Sequence, residues 1–275
     1  MTLHKTVAAR RLAAASLLAA AAVPASALTL SVTEGVTYRA TDKEISARFE
    51  PIAAALSAAL KQPVNVRIVS RYSEAREVLG KQEADIAYIH PAHVAFEATK
   101  AGKYSTVAWT QGFTEYKVSF LCKESEPIKN WSVMREKKLV TPDPDSITSV
   151  IVRAMLREQG LPTQSSQVLT TRYQDAVPFY VENNFASYGA TAAKAVIKDW
   201  NDKGGKVCAQ SRPVPIKQWI VSSSLDTRTA EIVRTTLTGL ADSDAGKKAL
   251  APSGYKGFEA PKAEVEKAMI SWLAI

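Results

Sequence analysis

Residues 141–156 read Thr-Pro-Asp-Pro-Asp-Ser-Ile-Thr-Ser-Val-Ile-Val-Arg-Ala-Met-Leu and gather three hydroxyls, Ser146, Thr148 and Ser149, where the pattern predicts the start of a helix. Ile147, Val150, Ile151 and Ala154 share one helical face, and Gly160 followed by Pro162 stops the run. Asp145 or Ser146 is the natural N-cap, which leaves the N–H groups of the first turn without intrahelical partners. Such amides carry partial positive charge, and hydroxyl donors beside them suit an oxyanion: phosphonate, phosphate, sulfate or carboxylate. A plain helix cap accounts for any one of these serines. Three hydroxyls at one mouth favour an anion site.

Other chemistry finds less support. His90 and His93 stand three apart in His-Pro-Ala-His, but two imidazoles do not complete a tetrahedral site and no cysteine or carboxylate pair near them has zinc spacing. No metal or cofactor is expected. An exported hydrolase acting on a small anionic substrate is the enzyme alternative; it lacks a Gly-x-Ser-x-Gly elbow, a His-Glu-x-x-His pair and a phosphate-binding glycine loop, and Ser146 has no assignable base.

The elements that must position these residues alternate along the chain. "LTLSVTEG" reads as a strand, and Ile45, Phe49, Ile52, Leu56 and Leu60 then mark a helical face, with Pro51 expected to bend that helix or begin it. Strands at "PVNVRIVS" and "ADIAYIH" are separated by a short helix, and the helix "AHVAFEATKAG" ends at Gly102. This βαβαβα order predicts a parallel sheet covered by helices. Two strands, "STVAWT" and "YKVSFLC", follow without a helix between them, and alternation resumes from residue 133 to "KVCAQS". "QWIVSSSL" leads to helices starting near Asp226 and Pro261. The break near Glu115 divides two similar α/β units.

The first residues read as an export signal rather than structure. Lys5, Arg10 and Arg11 precede an apolar stretch too short to span a bilayer, and Ala-Ser-Ala sets a cut after Ala27. Removing three basic residues and no acid takes the net charge from +8 to +5. That mild, dispersed excess suits a small anionic ligand and lacks the basic stripe of a nucleic-acid binder. In an oxidising compartment the only two cysteines, Cys122 and Cys208, are either a disulfide or two buried thiols, and spacing does not decide between them.

Taken in order, "RFEPIAAALSAAL", "EAREVLGKQEADIAYIHPAHVAF", "DPDSITS" after a strand, "PVPIKQWIVSSSL" and "SGYKGF" resemble the periplasmic phosphate, phosphite and phosphonate binding proteins of ABC importers, from about Leu28 to the end. The resemblance implies a type II periplasmic binding fold: two α/β lobes, two crossing segments and a ligand cleft closed by a hinge. Residues 1–27 would be the signal, 28–115 and 221–275 the first lobe and 116–220 the second, with crossings near 114–117 and 218–222. Partners would be a small anionic ligand and a membrane permease, and the protein a periplasmic monomer.

Strand-end placement would turn Tyr38, Tyr72, Tyr88 and His90 toward the cleft, although each alone is equally well a packed ring. The family loop Asp-Pro-x-Ser-Thr-Ser-Gly appears here with Ile147 and Ser149 as departures. Tyr173 and Ser187 occupy the places where the family tends to have a histidine and an acid. Loss of that acid points away from a simple phosphonate toward a fully anionic, larger or partly aromatic ligand. In this fold the strands bearing Cys122 and Cys208 would be antiparallel neighbours, which brings the two cysteines within bridging range.

Overall fold

The computed structural model of the chain describes residues 26–35, 40–123, 128–163 and 167–275; Tyr38 and residues 1–25 of the expected signal lie outside these. The strands are β1 (Leu28–Thr33), β2 (Val64–Ile68), β3 (Ile86–Ile89), β4 (Tyr104–Thr110), β5 (Ser119–Cys122), β6 (Leu139–Thr141), β7 (Val168–Thr170), β8 (Tyr188–Thr191), β9 (Lys206–Gln210), β10 (Gln218–Ser222) and β11 (Phe258–Glu259). The helices are α1 (Asp42–Leu60), α2 (Tyr72–Gly80), α3 (Ala92–Lys100), α4 (Ile147–Glu158), α5 (Val177–Glu182), α6 (Lys194–Asp202), α7 (Thr227–Gly239), α8 (Asp244–Leu250) and α9 (Ala263–Leu273).

They form two lobes. Lobe 1 is a six-stranded sheet in the order β11-β4-β10-β3-β1-β2, and lobe 2 a five-stranded sheet in the order β7-β6-β8-β5-β9. In each, the first two strands and the third run parallel (β2, β1, β3; β7, β6, β8), and the next neighbour, β10 or β5, runs antiparallel. The carboxyl ends of the parallel strands, where open α/β sheets bind ligands, therefore lie along one edge of each lobe.

Hydrophobic spacing explains the helices. α1 buries Ile45, Phe49, Ile52, Ala53 and Leu56 against the lobe 1 sheet, and it contains Pro51 instead of starting or ending there. The stripe continues on both sides of the proline, so packing outweighs a break worth roughly 3 kcal/mol. α3 and α4 are followed by Gly102 (φ 71°) and Gly160 (φ 63°), the left-handed positions that end them.

The crossing segments are hydrogen-bonded to each other. Tyr116 and Val214 exchange N–H···O bonds of 3.3 and 2.9 Å, and the N–H of Ile216 donates to the carbonyl of Phe113 at 3.1 Å. The second crossing is thus 211–217, earlier than expected, because Gln218–Ser222 already pairs with both β3 and β4 inside the first sheet. The return segment also differs from expectation. α9 belongs to both lobes: Met269 and Leu273 share a core with Phe96 of α3 and with Ile151 and Met155 of α4, and Glu266 accepts a 2.8 Å bond from Thr106 of β4. It straps the lobes together. A disulfide joins Cys122 to Cys208 across the antiparallel β5–β9 pair, with Cα atoms 6.2 Å apart.

Candidate functional site

A cavity of about 870 Å³ opens between the two carboxyl edges. Lobe 1 lines it with Glu34 after β1, with Thr41 and Glu44 at the start of α1, with Ser70 and Arg71 between β2 and α2, and with Tyr72 and Ser73 in the first turn of α2. Lobe 2 contributes Asp143 and Asp145 from the turn after β6, and Arg172 and Tyr173 from the turn after β7.

Four carboxylates in a cleft would repel an anion, but each already has an internal donor. Glu44 closes a capping box, accepting from the N–H and the hydroxyl of Thr41 at 2.7 and 2.9 Å, and the backbone bond holds its carboxyl below the ordinary range. Glu34 accepts from the Tyr255 phenol at 2.7 Å and from Arg48 at 3.3 Å, with the Lys217 ammonium 3.7 Å away. Asp143 Oδ1 accepts the N–H of Asp145 at 2.8 Å. Asp145 itself reaches across the lobes to Arg76 of α2, whose fork meets both its oxygens at 2.6 and 2.8 Å.

The arginines of the cavity are differently placed. Arg71 is 78 % exposed and only 3.8 Å from Glu74, and Arg172 is exposed with its guanidinium 5.3 Å from the centroid of the Tyr173 ring. Two guanidinium forks, one from each lobe, are left facing the solvent of the cleft. Guanidinium groups match phosphonate and carboxylate oxygens in pairs, which makes them the strongest anion recognition elements on this surface.

Behind the cavity the lobes touch through charge. Arg76 also binds Glu97 at 2.6 and 3.1 Å, and His93 Nε2 lies 3.5 Å from Asp145 Oδ1. Burial opposes ionisation of Asp145, yet the His93 and Arg76 contacts outweigh it and hold the carboxyl well below its usual range. Burial pushes His90 and His93 below the ordinary imidazole value, so both are neutral at pH 7. In the first crossing, the Tyr116 hydroxyl is 2.7 Å from that of Thr148 at the start of α4.

Behind Glu34, on the lobe 1 side, lies a buried polar network. Lys217, in the second crossing, sits 4.3 Å over the ring of Phe113 and 4.9 Å over that of Tyr255, and its ammonium donates to the Tyr255 phenol at 3.0 Å. Burial pushes its amine down and the phenols of Tyr88 and Tyr255 well up.

Among the residues picked from sequence, Tyr72 and Tyr173 line the cavity. Tyr88 does not: it is fully buried, points into the aromatic core and donates its phenol hydrogen to Tyr255 at 2.6 Å. His90 is likewise buried. The hydroxyl mouth of α4 is closed, contrary to expectation. Ser146 is the N-cap and accepts from the N–H of Ser149 at 3.3 Å, Ser149 donates to the Pro142 carbonyl at 3.1 Å, and Thr148 is taken by Tyr116. None of the three lines the cavity; Asp143 and Asp145 from the same loop do. Ser187 precedes β8, its N–H bonded to the Lys138 carbonyl at 2.9 Å, at the amino end of the strand and away from the cleft. The lost-acid argument built on it therefore does not hold. Sequence reading passed over Glu34, Arg71, Asp143, Asp145 and Arg172 as wall residues. One signal pointed to the arginines: the triplets Ser-Arg-Tyr at 70–72 and Thr-Arg-Tyr at 171–173.

Comparison with known proteins adds three findings. The family profile described as "ABC transporter, phosphonate, periplasmic substrate-binding protein" matches residues 35–265. No curated protein matches the chain in sequence. Among solved structures, XAC2383 from Xanthomonas citri bound to ATP superposes with a TM-score of 0.75 at 13 % identity, covering 91 % of this chain and 98 % of that one. PhnD1 from Prochlorococcus marinus in complex with methylphosphonate gives 0.65 at 15 % identity, over 90 % and 96 %. PA3383 from Pseudomonas aeruginosa, a binding protein component of an ABC phosphonate transporter, gives 0.59 at 13 % identity, over 90 % and 94 %. At such identities the likeness is one of fold.

Proposed function

The chain belongs to the periplasmic substrate-binding proteins of ABC phosphonate transporters, and on that premise we propose that it captures a small ligand bearing an oxyanion between its lobes and delivers it to a membrane permease. The observation that carries the proposal is the charge arrangement of the cleft. Its carboxylates are engaged by internal donors, while Arg71 and Arg172 stand exposed on opposing walls. An oxyanion entering the cleft meets two guanidinium groups, and two of the four carboxylates there, Glu34 and Asp145, are already paired with Arg48, Lys217 and Arg76. Rotation about the paired crossing segments would bring the walls together and exclude water, which strengthens each charge-assisted bond.

Export after cleavage at Ala27 and action as a monomer complete this reading. Nothing favours turnover: Ser146, the serine that a hydrolytic reading would need, is a buried N-cap bonded within its own helix start.

Calorimetry with methylphosphonate, phosphite and phosphate tests the proposal. At least one should bind, and Arg172→Ala should weaken it by roughly 1.5–3 kcal/mol, about 10- to 150-fold. Unchanged affinity in both Arg71→Ala and Arg172→Ala would place the site elsewhere.

A further inference from the structure

The lobes carry the same short pattern at equivalent turns. Residues 70–75 are Ser-Arg-Tyr-Ser-Glu-Ala, and residues 171–176 are Thr-Arg-Tyr-Gln-Asp-Ala: a hydroxyl residue, Arg, Tyr, a polar residue, an acid and Ala. Each follows the second strand of its lobe, which in both sheets is the edge strand beside the first. The chain leaves β2 with the N–H of Val69 bonded to the Val32 carbonyl at 2.9 Å, and leaves β7 with the N–H of Thr171 bonded to the Thr141 carbonyl at 2.9 Å. Both Arg-Tyr pairs line the one cavity of about 870 Å³.

From this duplication we infer that the ligand carries two anionic groups, one held by Arg71 and the other by Arg172. The inference rests on the reading that the cleft holds the ligand. Each arginine belongs to its own lobe, and Arg71 Nε lies 3.8 Å from Glu74. Arg172 lies against the ring of Tyr173, and Arg71 precedes Tyr72, which is buried edge-on to His93 with ring centroids 6.2 Å apart. Neither arginine depends on the other, so the forks are built as two stations. The space between them is that of a pocket for a whole organic molecule, far more than one tetrahedral group fills. Its wall mixes hydroxyls at Thr41, Ser70 and Ser73 with apolar surface from Ala40 and Ile45. The ligand class that fits is a small bis-anion: a diphosphonate, a phosphonocarboxylate or a diphosphate.

The test compares three probes by calorimetry on the mature chain: methylphosphonate, methylenediphosphonate and 3-phosphonopropanoate. At least one of the bis-anions should bind 10-fold or more tightly than methylphosphonate. Arg71→Ala and Arg172→Ala should each reduce that bis-anion to about the affinity of methylphosphonate, with unfolding temperatures unchanged because both side chains are exposed. Two results would overturn the inference while leaving anion capture intact: methylphosphonate binding as tightly as either bis-anion, or both substitutions weakening methylphosphonate equally, which would mean that a single group bridges the two arginines. Absence of binding by all three probes would overturn both the inference and the reading beneath it.

Discussion

Lobe 1 and lobe 2 share a strand arrangement but are held together differently. Lobe 1 surrounds Phe49, Tyr88, Trp219, Tyr255 and Phe258, whose ring centroids lie 4.6 to 6.3 Å apart in contact pairs, and sets Lys217 and Glu34 at the edge of that nest. Lobe 2 has parallel strands of only three, three and four residues, buries Phe120 and Trp200 among mostly aliphatic side chains, and closes its antiparallel edge with the disulfide. The contrast suggests a division of labour. A lobe with a deep aromatic core can carry a buried charge network up to the wall of the cleft, whereas a shallower lobe gains its rigidity from a covalent tie and offers its ligand contacts from short turns.

Breaking the tie is the most damaging change expected. The disulfide spans 86 residues, so Cys122→Ala with Cys208→Ala should cost about 4.5 kcal/mol of unfolding free energy in the entropic account. Urea denaturation followed by the fluorescence of lobe 2 tryptophans would show it; a loss under 1 kcal/mol would mean that lobe 2 stands without the bond. Next in size, Lys217→Met should destabilise lobe 1 by about 3 kcal/mol, because it leaves Glu34 half-compensated beside an apolar nest. An effect within experimental error would show that Arg48 and Tyr255 satisfy the carboxylate alone. The smallest effects separate the closed hydroxyl mouth from a binding site. Ser146→Ala should cost about 1 kcal/mol of stability as a lost N-cap and leave anion affinity within about twofold. Ser187→Ala should change neither quantity. A large affinity loss in either variant would restore the hydroxyl site expected from sequence.

Much of the fold was legible because periodicity and local stop signals suffice for it. The stripe of α1, the N-cap of α4 at Ser146 and the glycines that end α3 and α4 are all set by neighbours within a few residues. α8 and β11 were missed for the complementary reason: a seven-residue helix and a two-residue strand are too short to show a period. The site was harder to read because its geometry depends on partners far apart in the chain. Asp145 looks like a helix cap in sequence and instead binds Arg76, 69 positions away. Tyr88 ends a strand, as a cleft residue should, but the alternation of its strand turns it toward Tyr255 in the core. Ser187 was matched to the family's acidic position by its neighbourhood in sequence, which does not show that it stands at the amino end of β8. The duplicated Arg-Tyr turn needed the topology to become visible, since neither copy is distinctive alone.

Hydrogen exchange in the presence and absence of a saturating phosphonate, methylphosphonate or methylenediphosphonate, tests the central claim that the ligand sits between the lobes. The account predicts that the phosphonate slows exchange in residues 70–75 of lobe 1 and 171–176 of lobe 2 together. Protection confined to one of these turns, or appearing at residues 146–149 instead, would contradict it.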